Sequence, residues 1–143
     1  MAGLSRVSAD SCTWDWHLEC LRELDALRTH DPMGWQMLGA LVEKSKTPGG
    51  LSRREHRFPM KSATHPIGEL TPVADVDPDP DAELVRLYFG EAPEAETQVA
   101  GLKTASKPAS YGPTGENADA VKAIQNGHIA EAERRFCAHY AIS

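Results

Sequence analysis

The chain has 143 residues, a length that fits one domain and can bury a core without staples. Apolar residues make up 41% and charged residues 25%, and no run of about 18 apolar residues occurs, which excludes a membrane-spanning helix. The net charge of −6 argues mildly against nucleic-acid binding, but it hides an uneven distribution. Residues 1–12 are small and polar and read as a disordered lead; the opening Met-Ala-Gly-Leu-Ser-Arg lacks the apolar region of a secretory signal. A first helix is expected over Trp14–Thr29, with Thr13 as N-cap and Leu18, Cys20, Leu21, Leu24 and Leu27 on its buried side. Asp31-Pro32 is the clearest local signal, because Asp caps orphan amides and Pro suits the first helical position. The second helix then runs over Pro32–Lys46, with Met33, Met37, Leu38, Leu41 and Val42 inward, and stops at Pro48-Gly49-Gly50. Its short connection to the first helix implies an antiparallel helical hairpin.

Residues 51–66 are irregular and basic. Between Lys44 and Lys61 there are six cations (Lys44, Lys46, Arg53, Arg54, Arg57, Lys61) against one acid, Glu55. Three strand candidates follow: Ile67–Val73, Glu83–Phe89 and Thr97–Thr104. In the second, Val85, Leu87 and Phe89 share one face while Leu84, Arg86 and Tyr88 share the other. Residues 73–82 form an acidic, Pro-rich hairpin loop, and the stretch from Asp75 to Glu96 holds eight acids against one base, Arg86. A loop over Lys107–Gly115 leads to a closing helix, Asn117–Ala138, with Val121, Ile124, His128, Ala132 and Phe136 near one line and Ile129 beside it. The expected architecture is α+β in a single domain over 1–143: an N-terminal helical hairpin, a three-stranded antiparallel sheet and a C-terminal helix.

The three cysteines, Cys12, Cys20 and Cys137, are odd in number, which points to free thiols in a reducing compartment such as the cytoplasm. Their spacing with His17 and His139 matches no usual zinc pattern, so neither a metal site nor a cofactor is expected. The basic segment reads either as a phosphate cradle or as a solvated loop. Arg86, in the middle of the best strand, needs an ion-pair partner or a site to serve, unless its face of the sheet is open to water. Metal-free RNA cleavage needs a base for the ribose 2′-hydroxyl, a cation for the phosphate and an acid for the leaving oxygen. Arg86, Lys103 and Lys107 are candidates for the cation, and His128, His65, His56 or Tyr111 for proton transfer. Each histidine alone reads equally as a packing residue.

The ordered set Gly68-Glu69-Leu70, Val85-Arg86-Leu87-Tyr88-Phe89, Gly101-Leu102-Lys103 through Ser106-Lys107, and a helix with Gln125-Asn126-Gly127-His128-Ile129 ending Ala132-Glu133-Arg134-Arg135 resembles the phage-derived, HigB-like branch of the RelE toxin superfamily. The resemblance spans about Ile67 to Phe136 by motif and the helical hairpin by order. It implies a metal-independent mRNA endonuclease, acting free or on the ribosome, and neutralised by a cognate antitoxin protein. It places Arg86 at the scissile phosphate and Lys107 after the last strand, and it sets Lys61 and His65 where some members carry basic or histidine groups. The resulting candidate set is Arg86, Lys107, His65 and His128 for catalysis, with Lys61, Arg57, Arg54, Arg53, Lys103 and Tyr111 for RNA binding. Three features depart from the family. Thr71 stands where Arg is usual, the chain is acidic, and the N-terminal strand of many members is not evident. A non-catalytic protein-interaction module on the same scaffold is the alternative.

Overall fold

The computed structural model describes residues 5–9, 11–72, 83–108 and 115–142. In chain order the elements are α1 (Arg6–Ala9), β1 (Thr13–Trp16), α2 (Leu18–His30), α3 (Pro32–Ser45), β2 (His56–Arg57), β3 (Ile67–Leu70), β4 (Glu83–Glu91), β5 (Gln98–Pro108) and α4 (Gly115–His139). The class is α+β, but the sheet is not the expected three-stranded antiparallel one. It has five strands in the order β1-β5-β4-β3-β2, with β1 parallel to β5 and the other pairs antiparallel.

The two extra strands lie at the edges. β1 occupies residues that the leucine pattern had assigned to the start of the first helix. Its pairing partners, Gln98 to Gly101, are distant in sequence. A Cβ on Gly101 would lie 2.2 Å from the Trp16 ring, so only glycine lets this strand dock. Trp14 donates from Nε1 to Ser45 Oγ at 2.8 Å and meets Phe89 edge-on at 6.0 Å, which ties β1 to α3 and the sheet. The helix therefore begins later, with His17 rather than Thr13 as its N-cap, its Nδ1 accepting from the Glu19 amide. Asp31 caps α3 as expected, accepting from the Gly34 amide at 3.0 Å.

Residues 5–9 and 11–12 of the stretch read as a disordered lead are described and packed against the fold. Val7 is fully buried, and Arg6 Nη1 donates to the carbonyls of Ala92, Ala95 and Gln98, each at 2.9 Å. The acidic loop 73–82 lies outside the described residues.

Both faces of the sheet are covered. Val85, Leu87 and Phe89 pack with Cys12, Cys20, Leu38, Leu41 and Val99 under the α2–α3 hairpin. Tyr88, Leu102 and Ile67 pack with Met60, Ile129, Ala132 and Phe136 under α4. The alternating faces of β4 are thus as the sequence indicates, but neither is open to water. The buried line of α4 is Gln125, Ile129, Ala132 and Phe136, while Ile124, expected inward, is 60% exposed. In the hairpin, Leu38 and Leu41 are buried, whereas Leu18, Leu21 and Met33 are exposed.

β1 covers only the first part of the β5 edge. Past it, side chains take over the ladder. Arg135 Nη1 donates to the Leu102 carbonyl at 2.9 Å, and Glu23 Oε1 accepts from the Thr104 amide at 3.0 Å. The two side chains also pair with each other at 3.0 Å. Burial alone would raise the Glu23 carboxyl, but bonds from Arg135 and Thr104 outweigh it and hold its pKa below the usual carboxylate range. No helix among the described residues is long and apolar enough to cross a membrane.

Candidate nucleic-acid interface

The basic segment 53–61 is held by its one acid. Glu55 Oε1 accepts from the Ser52 amide at 2.9 Å, and its Oε2 meets Lys44 Nζ at 2.6 Å, so the segment is tethered to the end of α3. Burial opposes the Glu55 charge, yet the Lys44 and Ser52 bonds prevail and lower its pKa. The Thr71 amide then donates to the Glu55 carbonyl at 2.8 Å, and β2 pairs His56 with Leu70 and Arg57 with Glu69. Gly68 permits this crossing, since a Cβ there would lie 2.9 Å from the Arg57 carbonyl oxygen.

Between this segment and α4 lies an open groove of ≈ 1010 Å³. Arg53, Arg57 and Lys61 line it from the segment, and Lys122, Gln125 and Asn126 from the helix. Its apolar lining includes Met60, Ile129 and the ring of Phe58, which stacks on Phe89 at 6.1 Å. None of the four cations has a carboxylate partner among the described residues. His56 also lines the groove, half-buried, with Nδ1 at 2.9 Å from the Ser52 carbonyl oxygen. A carbonyl only accepts, so Nδ1 carries the hydrogen and neutral His56 keeps its lone pair on Nε2.

The remaining sequence candidates are dispersed. Arg86 is 8% exposed and directs Nη1 to Glu69 Oε1 at 3.0 Å and to Thr71 Oγ1. Glu69 is fully buried and also accepts from Gln125 Nε2 at 3.1 Å. Tyr88 shares this cluster, and burial, reinforced by the Glu69 charge, raises its phenol pKa well above the ordinary value. Arg86 Nε is buried with no partner among the described residues. The guanidinium is therefore occupied by a carboxylate beneath α4 and does not line the groove.

Lys103 is bound to Glu23 at 3.2 Å. His65 Nδ1 lies 2.6 Å from Glu133 Oε2. His128 is half-buried on another side of α4, since five residues separate it from Glu133, about 140° around the helix. Burial, then the nearby Lys103 charge, lowers the His128 pKa. Arg54 is exposed but does not line the groove. Lys107 pairs in the ladder with Leu84; Tyr111 lies outside the described residues.

The structure thus gathers Arg53, Arg57 and Lys61 and scatters Arg86, His65 and His128. It adds Lys122, which no sequence signal singled out, and Gln125 and Asn126, which the helix motif included without a site role, and it has His56 line the groove. No family model, curated protein or solved structure matches the chain.

Proposed function

We propose that this protein is a RelE-like, metal-independent endoribonuclease that seats a single-stranded segment of mRNA in the groove between residues 53–61 and α4. The observation that carries this is the meeting of four cations, without a carboxylate partner among the described residues, and one histidine of fixed tautomer on a single open surface. Cations along a backbone track, with aromatic and apolar groups for the bases, suit a single strand. His56 Nε2 takes the 2′-hydroxyl proton. The O2′–P bond forms, the P–O5′ bond breaks, and Arg57, Lys61 and Lys122 stabilise the crowded phosphate. The leaving 5′-oxygen takes a proton from an ammonium group or from water. The strand β1, near the N-terminus, supports the reading, since many members of the superfamily carry an N-terminal strand. Acting in this way, the protein would work in the cytoplasm, on free or ribosome-bound message, under the control of a cognate antitoxin protein.

The test uses a single-stranded oligoribonucleotide, with and without ribosomes. His56→Gln should slow cleavage by about 10²-fold while leaving binding intact. Arg57→Ala and Lys122→Ala should weaken binding and flatten its salt dependence, which for four phosphate contacts has a log–log slope of about −3. Cleavage that survives His56→Gln refutes the base assignment. Salt-dependent binding without cleavage leaves the groove as a non-catalytic interaction site, and no binding at low salt removes it altogether.

A further inference from the structure

Two of the three thiols are packing groups. Cys12 is 3% exposed and Cys20 fully buried, and burial pushes the Cys20 thiol up to about 12. Cys137 differs. It is partly exposed on the last turn of α4, with Sγ 3.7 Å from His65 Nε2 and 3.8 Å from Nδ1.

The imidazole is held in place. Glu133 Oε2 lies 2.6 Å from Nδ1 and also accepts from the amides of Thr64 (2.8 Å) and His65 (2.7 Å) and from Thr64 Oγ1 (2.8 Å). Burial opposes the Glu133 charge, but these bonds outweigh it and hold its pKa below the usual carboxylate range. Phe136 packs on the ring at 5.8 Å. With Nδ1–H donated to the carboxylate, Nε2 is the basic nitrogen, within reach of the thiol. A nucleophile, a base and an acid that orients the base therefore share one cluster, the sulfur lying at nearly equal distances from both ring nitrogens.

The surroundings decide which chemistry this cluster can run. Acyl transfer needs amides aimed at an oxyanion, and the nearby amides of Thr64 and His65 are bound to Glu133. Thiol–disulfide exchange needs only an activated, accessible sulfur. We propose that Cys137 is a site of modification by small-molecule disulfides. His65 Nε2 takes the thiol proton as Sγ attacks one sulfur of the disulfide. The new S–S bond forms, the old one breaks, and the departing thiolate recovers the proton, so thiol plus disulfide yields mixed disulfide plus thiol. Activation must come from His65, because the C-terminal end of a helix disfavours a thiolate.

The experiment exposes the full chain to an excess of oxidised glutathione or of a chromogenic aryl disulfide. It follows the rate and locates the adduct by mass. One equivalent should add, at Cys137 alone, faster in the native protein than at the same residue in urea. Cys137→Ser should abolish it, and His65→Gln should slow it about tenfold or more. A native rate equal to or below the rate in urea overturns the proposal, as does an unchanged rate in a folded His65→Gln protein. If that variant does not fold, the native-to-urea comparison decides alone.

Discussion

Replacing Arg86 separates a structural role from a catalytic one. Arg86 and Glu69 form a buried pair at 3.0 Å, with 10% and 0% of their side chains exposed. Arg86→Met keeps most of the volume but strands the Glu69 carboxylate against Gln125 beneath α4. Breaking one side of such a pair costs about 3–5 kcal/mol. For a chain of this length, each kcal/mol moves Tm by about 3–4 °C, so the variant should melt about 10–20 °C below the parent. The double variant Glu69→Gln, Arg86→Met removes both charges and should recover most of that loss, giving a coupling energy of about 2–3 kcal/mol in a double-mutant cycle. Urea titrations of the four proteins supply the cycle. RNA cleavage by the single variant, assayed well below its Tm, should stay within about threefold of the parent, since the groove does not use Arg86. A variant that melts within about 2 °C of the parent yet loses cleavage would refute this account and return Arg86 to the scissile phosphate.

Two further perturbations probe the scaffold. Acidification should cost stability in two windows. Burial, followed by the Arg135 charge, lowers the His17 pKa, and burial followed by Lys103 lowers that of His128. The unfolded chain therefore binds more protons, and the stability these rings lend is complete above about pH 6.5 and lost as pH falls through their folded pKa values. The lowered carboxyls of Glu23 and Glu133 lend stability present above about pH 4.5 and lost below it. Urea titrations from pH 8 to pH 3.5 measure both windows. His128→Gln should flatten the upper one, and a stability that rises from pH 7.5 to 5.5 would contradict the sign. Separately, Arg135→Met should both destabilise the fold, by about 3–5 kcal/mol, and bare the β5 edge, so that the protein self-associates. Light scattering and thermal melts check this, and an unchanged monodisperse protein would show that the edge needs no such cover.

What the sequence revealed and what it hid follow one division. Local signals are legible where a residue acts on its own backbone or alternates along a strand. Asp31-Pro32 starts α3, and Val85, Leu87 and Phe89 share a face in β4. Features set by a distant partner are not legible. Thr13–Trp16 reads as a helix start until Gly101 offers the bare surface that Trp16 covers. The face of α4 is misjudged because apolarity is the only visible guide. Gln125 and Arg135 turn inward since Glu69, Glu23 and the Leu102 carbonyl wait for them. Arg86 did announce that it needs a partner or a site, and the choice rested on Glu69, one strand away and without a telltale motif.

The same division explains how an acidic chain presents a cationic groove. Glu55 is turned onto Lys44, Glu69 onto Arg86, and Glu133 onto His65 and Thr64, so these three acids are satisfied internally. The pairs with Lys44 and Arg86 each cancel a charge close to where it arises. What remains at the groove is Arg53, Arg57, Lys61 and Lys122, and the field of exposed charges decays over about 8–10 Å in physiological salt. A net charge of −6 is a sum over the whole chain and carries no information on this local arrangement. On the proposed function, a strand of phosphates arriving at the groove would meet these four cations first, and the buried arginine would not take part in the encounter.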